Sequence, residues 1–210
     1  MSYKEFIYKK ALDVVLEIYQ RSRYNKEVDL YRIVDIINSV NENQFKSKEW
    51  LVRESLSFIK NKEHILIAGS WYGLLGSMLK ENGFKGKITL VDSDDFTKNI
   101  AKKFNPSPDV MVRCKDAVDY FIQNKKSKKW DVIINTSCEH MSKEDIQLMN
   151  NLKDKDAVVV LQSNNYVEIN SHVNTSKSLD EFVEYLKLND VLFKDVLKTE
   201  KYERYMVIGK

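Results

Sequence analysis

The 210 residues carry 34 Lys and Arg against 31 Asp and Glu, a formal net charge of +3, and 43% of them are hydrophobic. A chain of this size hides roughly 70% of its unfolded surface, so that apolar fraction suffices for one core and excludes global disorder, while the small, dispersed charge gives no footing for nucleic-acid binding. No apolar run approaches the roughly 20 residues that span a bilayer, and Met1-Ser2-Tyr3-Lys4-Glu5 lacks a signal-peptide core, so the sequence reads as a soluble cytoplasmic protein with no membrane partner.

The first sixty residues read as helices. Ile7, Ala11, Val14, Val15 and Ile18 recur at three-to-four spacing, as do Leu30, Ile33, Val34 and Ile37. The segment Asn41-Glu42-Asn43-Gln44 interrupts this pattern, and a third helix carrying Trp50, Leu51, Leu56 and Ile59 is expected to begin near Ser47, whose hydroxyl can cap it.

From His64 onward, short apolar runs alternate with helical stretches: strand His64–Ala68, helix Leu74–Asn82, strand Lys87–Val91, helix Asp95–Lys103, strand Asp109–Val112 and helix Ala117–Asn124. The rhythm continues with strand Asp131–Asn135, helix Lys143–Asn150, strand Ala157–Leu161 and helix Leu179–Leu188. Strands this rich in Val, Ile and Leu belong to a parallel sheet covered on both faces. Val191–Leu197 and Arg204–Ile208 are separated by too few residues for a crossover helix and should form an antiparallel hairpin. The expected architecture is therefore α/β: a Rossmann-like, doubly wound, seven-stranded sheet. It is one domain over residues 1–210, with a helical cap at 1–60 and the core at 61–210. The basic run Lys125–Lys129 reads as a solvated connection, and the two cysteines, Cys114 and Cys138, as reduced thiols.

In an open parallel sheet a ligand binds beyond the carboxyl ends of the strands. The first strand leaves through Gly69-Ser70-Trp71-Tyr72-Gly73-Leu74-Leu75-Gly76. Its G-x-x-x-G-x-x-G spacing allows a tight turn, but Trp71 stands where a dinucleotide fingerprint needs its middle glycine, which argues against NAD. Alternatively, Gly69 and Gly73 only relieve crowding between strand and helix. Asp92 closes the second strand, where a carboxylate can accept hydrogen bonds from a ribose diol; Asp94 and Asp95 read as the N-terminal charges of the following helix. After the third strand, Asp116 either accepts from an adenine amino group beside the Ala117 backbone N–H or caps the next helix, and the two roles are compatible.

Together these residues resemble the class I S-adenosylmethionine-dependent methyltransferases over roughly residues 48–210, the terminal hairpin being the most telling part. The resemblance implies S-adenosyl-L-methionine as cofactor. Gly69 and Gly73 would receive its methionine portion, Asp92 its ribose and Asp116 its adenine. Ser70, Trp71, Tyr72, Ser93, Ala117, Asn135 and Ser137 would complete the cofactor site. The first motif departs from the commoner E/D-x-G-x-G-x-G form of that family.

The fourth strand exits through Asn135-Thr136-Ser137-Cys138-Glu139-His140. In the resembled family this exit faces the transferred methyl group, so Glu139 and His140 are candidates to bind or deprotonate an acceptor; capping of the helix after Ser142 is the alternative. The sequence lacks the N/D-P-P-Y/F and Pro-Cys motifs of nucleic-acid base methylation. The long polar stretch 162–174 offers its amides, among them Asn164, with Tyr166, Glu168 and His172 to a small polar substrate; a surface excursion is the alternative. The helical cap is expected to close over the carboxyl edge as a lid that contributes Trp50 or a neighbour. With no H-x-x-x-H or C-x-x-C spacing, and with His64, His140 and His172 far apart, the sequence points to no metal. The activity expected is methyl transfer to a small polar metabolite. The alternatives are aminopropyl or aminocarboxypropyl transfer from a related sulfonium donor and a non-catalytic cofactor-binding or assembly module. Acceptor identity and oligomeric state stay open.

Overall fold

A computed structural model describes residues 2–25 and 30–210. Helices α1 (Tyr3–Asn25), α2 (Leu30–Ser39) and α3 (Glu42–Ile59) precede strand β1 (His64–Ala68). The alternation continues with α4 (Leu74–Glu81), β2 (Lys87–Asp92), α5 (Asp95–Phe104), β3 (Val110–Cys114), α6 (Ala117–Asn124) and β4 (Val132–Asn135). A 3-10 turn at Cys138–His140 leads into α7 (Lys143–Leu152), β5 (Val158–Asn164) and α8 (Leu179–Leu186), and β6 (Val191–Lys198) and β7 (Glu203–Gly209) complete the fold.

The seven strands lie in the order β3-β2-β1-β4-β5-β7-β6. Strands β1 to β5 pair in parallel, whereas β7 runs antiparallel between β5 and β6. The β6–β7 connection is too short for anything but a hairpin, and the Thr199 hydroxyl closes it on the Tyr202 carbonyl at 2.7 Å.

Alternation along the strands divides the core into two layers. Ile65, Ile67, Ile88, Leu90, Val160, Met206 and Ile208 pack with residues of α1 to α5 on one face, while Leu66, Ala68, Val91, Ile133, Val159, Leu161 and Val207 meet α6, α7 and α8 on the other. The outer strand β6 is mostly exposed and carries Lys194, Asp195 and Lys198, charges that discourage further pairing.

Most boundaries agree with the sequence reading to within two residues, and three differences bear on the site. Helix α3 starts at Glu42 because Asn41 caps it, its side chain accepting from the Gln44 N–H at 3.0 Å. Ser47 therefore lies inside the helix, buried. Strand β5 runs on through Gln162, Ser163 and Asn164, polar residues that looked like loop but pair with Met206, Tyr205 and Arg204 of β7. Strand β3 extends to Cys114, which pairs with Asp92.

Helix α3 is a structural layer, not a detachable cover. It buries Phe45, Trp50, Leu51, Val52 and Ile59, and each such side chain stabilises the fold by about 1.5–3 kcal/mol. Over the carboxyl edge the covering element is α2. Its Asp35 accepts from Tyr72 Oη at 2.6 Å and Trp71 Nε1 at 3.2 Å, and Arg32 pairs with Asp94. Among the described residues no helix is long and apolar enough to cross a membrane.

Candidate functional site

Strand order reverses between β1 and β4, the point beyond whose carboxyl ends ligands bind in open α/β sheets. The β1–α4 turn at this point holds Gly69 at φ 64°, Trp71 at φ 48° and Gly73 at φ 76°. The two glycines do different work. A Cβ on Gly73 would lie 2.8 Å from Leu90 and Asn105, so this glycine exists to let the turn pack on β2 and α5. A Cβ on Gly69 would meet only Ser137, at an ordinary 3.6 Å, so the space before Gly69 is free of other protein atoms at contact distance. Trp71 tolerates the left-handed region without being glycine, a strain that functional turns often hold. The buried Ser70 hydroxyl beside it has no partner among the described residues.

Asp92, half-buried at the end of β2, accepts from the Trp71 N–H at 2.7 Å and the Asp94 N–H at 3.0 Å. Burial raises its pKa while those two amides oppose the rise. Each carboxylate oxygen keeps lone-pair capacity beyond these bonds. Ser93 is exposed beside it. Asp116 caps α6, accepting at 2.9 Å from the Val118 and Asp119 N–H groups, and remains exposed next to Ala117.

On the β4 side, buried Asn135 accepts from the Ser137 N–H at 2.8 Å, which turns the chain sharply after the strand. Cys138 is buried, and burial pushes its thiol pKa well up, so it is an inert packing residue. Glu139 is buried in a polar cluster. Its Oε1 accepts from Asn164 Nδ2 at 2.7 Å and Arg204 Nη1 at 3.4 Å, whereas Oε2 has no partner among the described residues. Arg204, in β7, also donates to Gln162 Oε1 and to the Thr136 carbonyl. Gln162 in turn accepts from the Ser47 hydroxyl of α3 at 3.3 Å.

Lys48, one residue further along α3, lies in the same cluster. Burial, and secondarily the Arg204 charge, lower its pKa to about 7, with Glu139 opposing the shift.

The segment after β5 folds back onto the 3-10 turn, because the Glu139 carbonyl accepts from the Val173 and Asn174 N–H groups at 2.9 and 3.1 Å. That return brings His172 edge-on to His140, ring centroids 4.7 Å apart. Desolvation by the packed loop lowers the His140 pKa, with Glu139 opposing. Tyr166 donates to Glu168 and lies beside Tyr202 and His172.

Of the residues singled out in the sequence, Gly69, Ser70, Asp92 and Ser137 lie at the carboxyl ends of β1, β2 and β4, and Glu139, His140, Asn164 and His172 gather at the β4 and β5 exits. Tyr72 is buried against α2, and Trp50 sits in the core, so Ser47 and Lys48 are the α3 residues that reach the polar cluster. Histidines distant in sequence meet in space, except His64, which packs on Trp130 at the amino end of β1. Sequence reasoning gives Arg204 and Asp35 no site role, reaches Lys48 only as a neighbour of Trp50, and reads Gln162 as part of a loop rather than of β5. A charged residue or glutamine inside an otherwise apolar, buried strand was the available signal for Gln162 and Arg204; nothing local marked Lys48 or Asp35.

This sheet order, with its antiparallel β7 and helices on both faces, is the fold of the class I S-adenosylmethionine-dependent methyltransferases. A SAM-dependent methyltransferase from Archaeoglobus fulgidus matches with a TM-score of 0.63 at 16% identity over 87% of this chain and 100% of that one. The N-methyltransferase NodS from Bradyrhizobium japonicum WM9, also solved in complex with S-adenosyl-L-homocysteine, matches at 0.62 and 12% over 81% of this chain and 97% of that one. The E81Q mutant of MtNAS matches at 0.60 and 11% over 99% of this chain and 70% of that one. No protein-family model and no curated protein sequence matches the chain.

Proposed function

We propose that the protein binds S-adenosylmethionine at the carboxyl ends of β1 and β4 and catalyses methyl transfer to a small polar metabolite. The observation that carries this reading is the left-handed turn at Gly69, whose backbone no neighbour crowds, at the point where strand order reverses and with Asp92 bonded to the same turn. These features fit an elongated polar ligand with a diol. Asp92 would hold the ribose through its remaining lone pairs, the backbone at Gly69 would approach the methionine portion, and Asp116 with Ala117 would border the adenine. When bound, the cofactor supplies an electrophilic methyl carbon on a sulfonium.

The residues at the β4 and β5 exits then serve the acceptor. Transfer needs a neutral lone pair aligned behind the methyl carbon. Glu139 Oε2 and the His140 ring offer sites for the acceptor's proton, while Arg204 and Asn164 fix the Glu139 carboxylate in place.

Titration calorimetry with S-adenosyl-L-homocysteine tests the cofactor half. Wild type should bind, and Asp92→Ala should weaken binding by about 1.5–3 kcal/mol, the range for hydrogen bonds to a charged group. Incubation with S-adenosylmethionine and pools of small amines and alcohols tests the transfer. Accumulation of S-adenosylhomocysteine supports methyl transfer; a different thioether, or binding without turnover, overturns it.

A further inference from the structure

Glu139, His140 and His172 each present a ligand atom, and these three atoms lie within 4.8 Å of one another. From this juxtaposition we infer a divalent transition-metal site, of the kind that takes zinc, at the carboxyl ends of β4 and β5. Nitrogen and oxygen donors of this composition suit zinc with further positions left open for water or substrate.

The hydrogen bonds prepare the ligands. The Nδ1 atom of His140 lies 3.1 Å from the Ser171 carbonyl, and that of His172 lies 2.6 Å from the Tyr166 carbonyl. A carbonyl can only accept, so Nδ1 of each ring carries a proton, which leaves Nε2 as the nitrogen that a neutral ring would turn to a metal. Backbone carbonyls are common second partners of metal-bound histidines, because they fix tautomer and ring orientation. The carboxylate supplies an independent sign: Glu139 is 4% exposed, yet Oε2 has no partner among the described residues while Oε1 is held by Asn164 and Arg204. An unpaired, buried carboxylate oxygen is costly unless something cationic meets it. The nearby Arg204 guanidinium is directed at Oε1, Gln162 and Thr136, which leaves Oε2 open. An ion at about 2.0–2.2 Å from each donor draws the three closer than they stand, so its binding would shift the side chains of Glu139, His140 and His172 toward one another.

The site adjoins the acceptor region, so the bound ion would replace Glu139 and His140 as the direct agent of deprotonation, binding an acceptor's oxygen or nitrogen and favouring its deprotonated form. That consequence, unlike the site itself, rests on the methyltransferase reading. The decisive measurement is made on untagged protein stripped with chelator and titrated with zinc sulfate by calorimetry, without cofactor. One equivalent should bind, and His172→Ala and His140→Ala should each weaken affinity by about tenfold or more, as losses at ligand spheres do. Cobalt(II) added to wild type should give an absorption spectrum of a low-coordinate nitrogen and oxygen site, lost in the double variant. Thermal unfolding and S-adenosyl-L-homocysteine binding of the variants report the fold and the cofactor site separately, so a failed metal site and a failed methyltransferase reading are distinguishable. Failure of wild type to bind zinc stoichiometrically, or equal zinc affinity in the double variant, would leave the His140–His172 pair as edge-on packing only and overturn the inference.

Discussion

Lys48 is a residue whose chemistry departs far from its ordinary behaviour. Its folded pKa of about 7 lies below the usual value of 10.5, so between these two values the unfolded chain binds more protons than the folded one. Folding stability should therefore rise with pH across that window, and the cost of burying the amine is complete only below its lower edge. Lys48→Met is expected to stabilise the protein most below about pH 7, with the gain shrinking by up to about 1.4 kcal/mol per pH unit above it. Urea unfolding at several pH values measures this, and a gain that stays constant from acid to alkaline pH contradicts it. The two turn glycines give a second contrast. Gly73→Ala forces a methyl group to within 2.8 Å of Leu90 and should cost about 1–3 kcal/mol from overpacking, on top of backbone strain. Gly69→Ala carries about 1–2 kcal/mol of left-handed strain and places its methyl at the proposed cofactor site, so its additional loss should appear in S-adenosylhomocysteine affinity. Thermal melts and calorimetry on both variants separate the effects. The glycines and Asp92 were legible because turn chemistry is local; Lys48 and Arg204 were not, because their partners lie on other strands and helices.

At the scale of elements, the parallel strands announced themselves through runs such as Val132–Asn135 and Val158–Leu161, buried on both faces. The polar end of β5 did not, since Gln162 and Asn164 are buried by pairing and by a side-chain network that composition does not encode. The expected cover divided into two parts: α3 joined the core and reaches the network through Ser47, while α2 bonds the β1–α4 turn through Asp35. Asp35→Ala should show this dependence. It leaves the buried Tyr72 hydroxyl without its acceptor, a loss of about 1–3 kcal/mol in stability by chemical denaturation. An unchanged denaturation midpoint would mean that α2 contributes nothing to holding the turn.

For the whole molecule, the two helices that reach the carboxyl edge differ in solidity. The α3 residues from Phe45 to Leu51 are largely core, whereas α2 buries only Ile36 and Ser39 and is tied to the edge by polar contacts. Amide exchange with and without S-adenosylhomocysteine should therefore change at residues 32–36 and 69–76 and stay level at 45–51, since a segment already packed has little protection to gain. A rise confined to 45–51 would reverse the roles of the two helices.

The position of β7 has a temporal side. Strand β6 hydrogen-bonds to β7 and to no other strand, so although it is made earlier it must wait for its neighbour, and until then β5 presents an open edge. Non-local pairings of this kind are late events in folding and leave unpaired edges prone to aggregation. A chain cut before Glu203 would thus lose two strands from the sheet and not one. It would also leave Glu139 and Gln162 without the guanidinium of Arg204. The polar cluster is therefore assembled only once the final strand is threaded into place, which couples the maturation of the site to completion of the sheet.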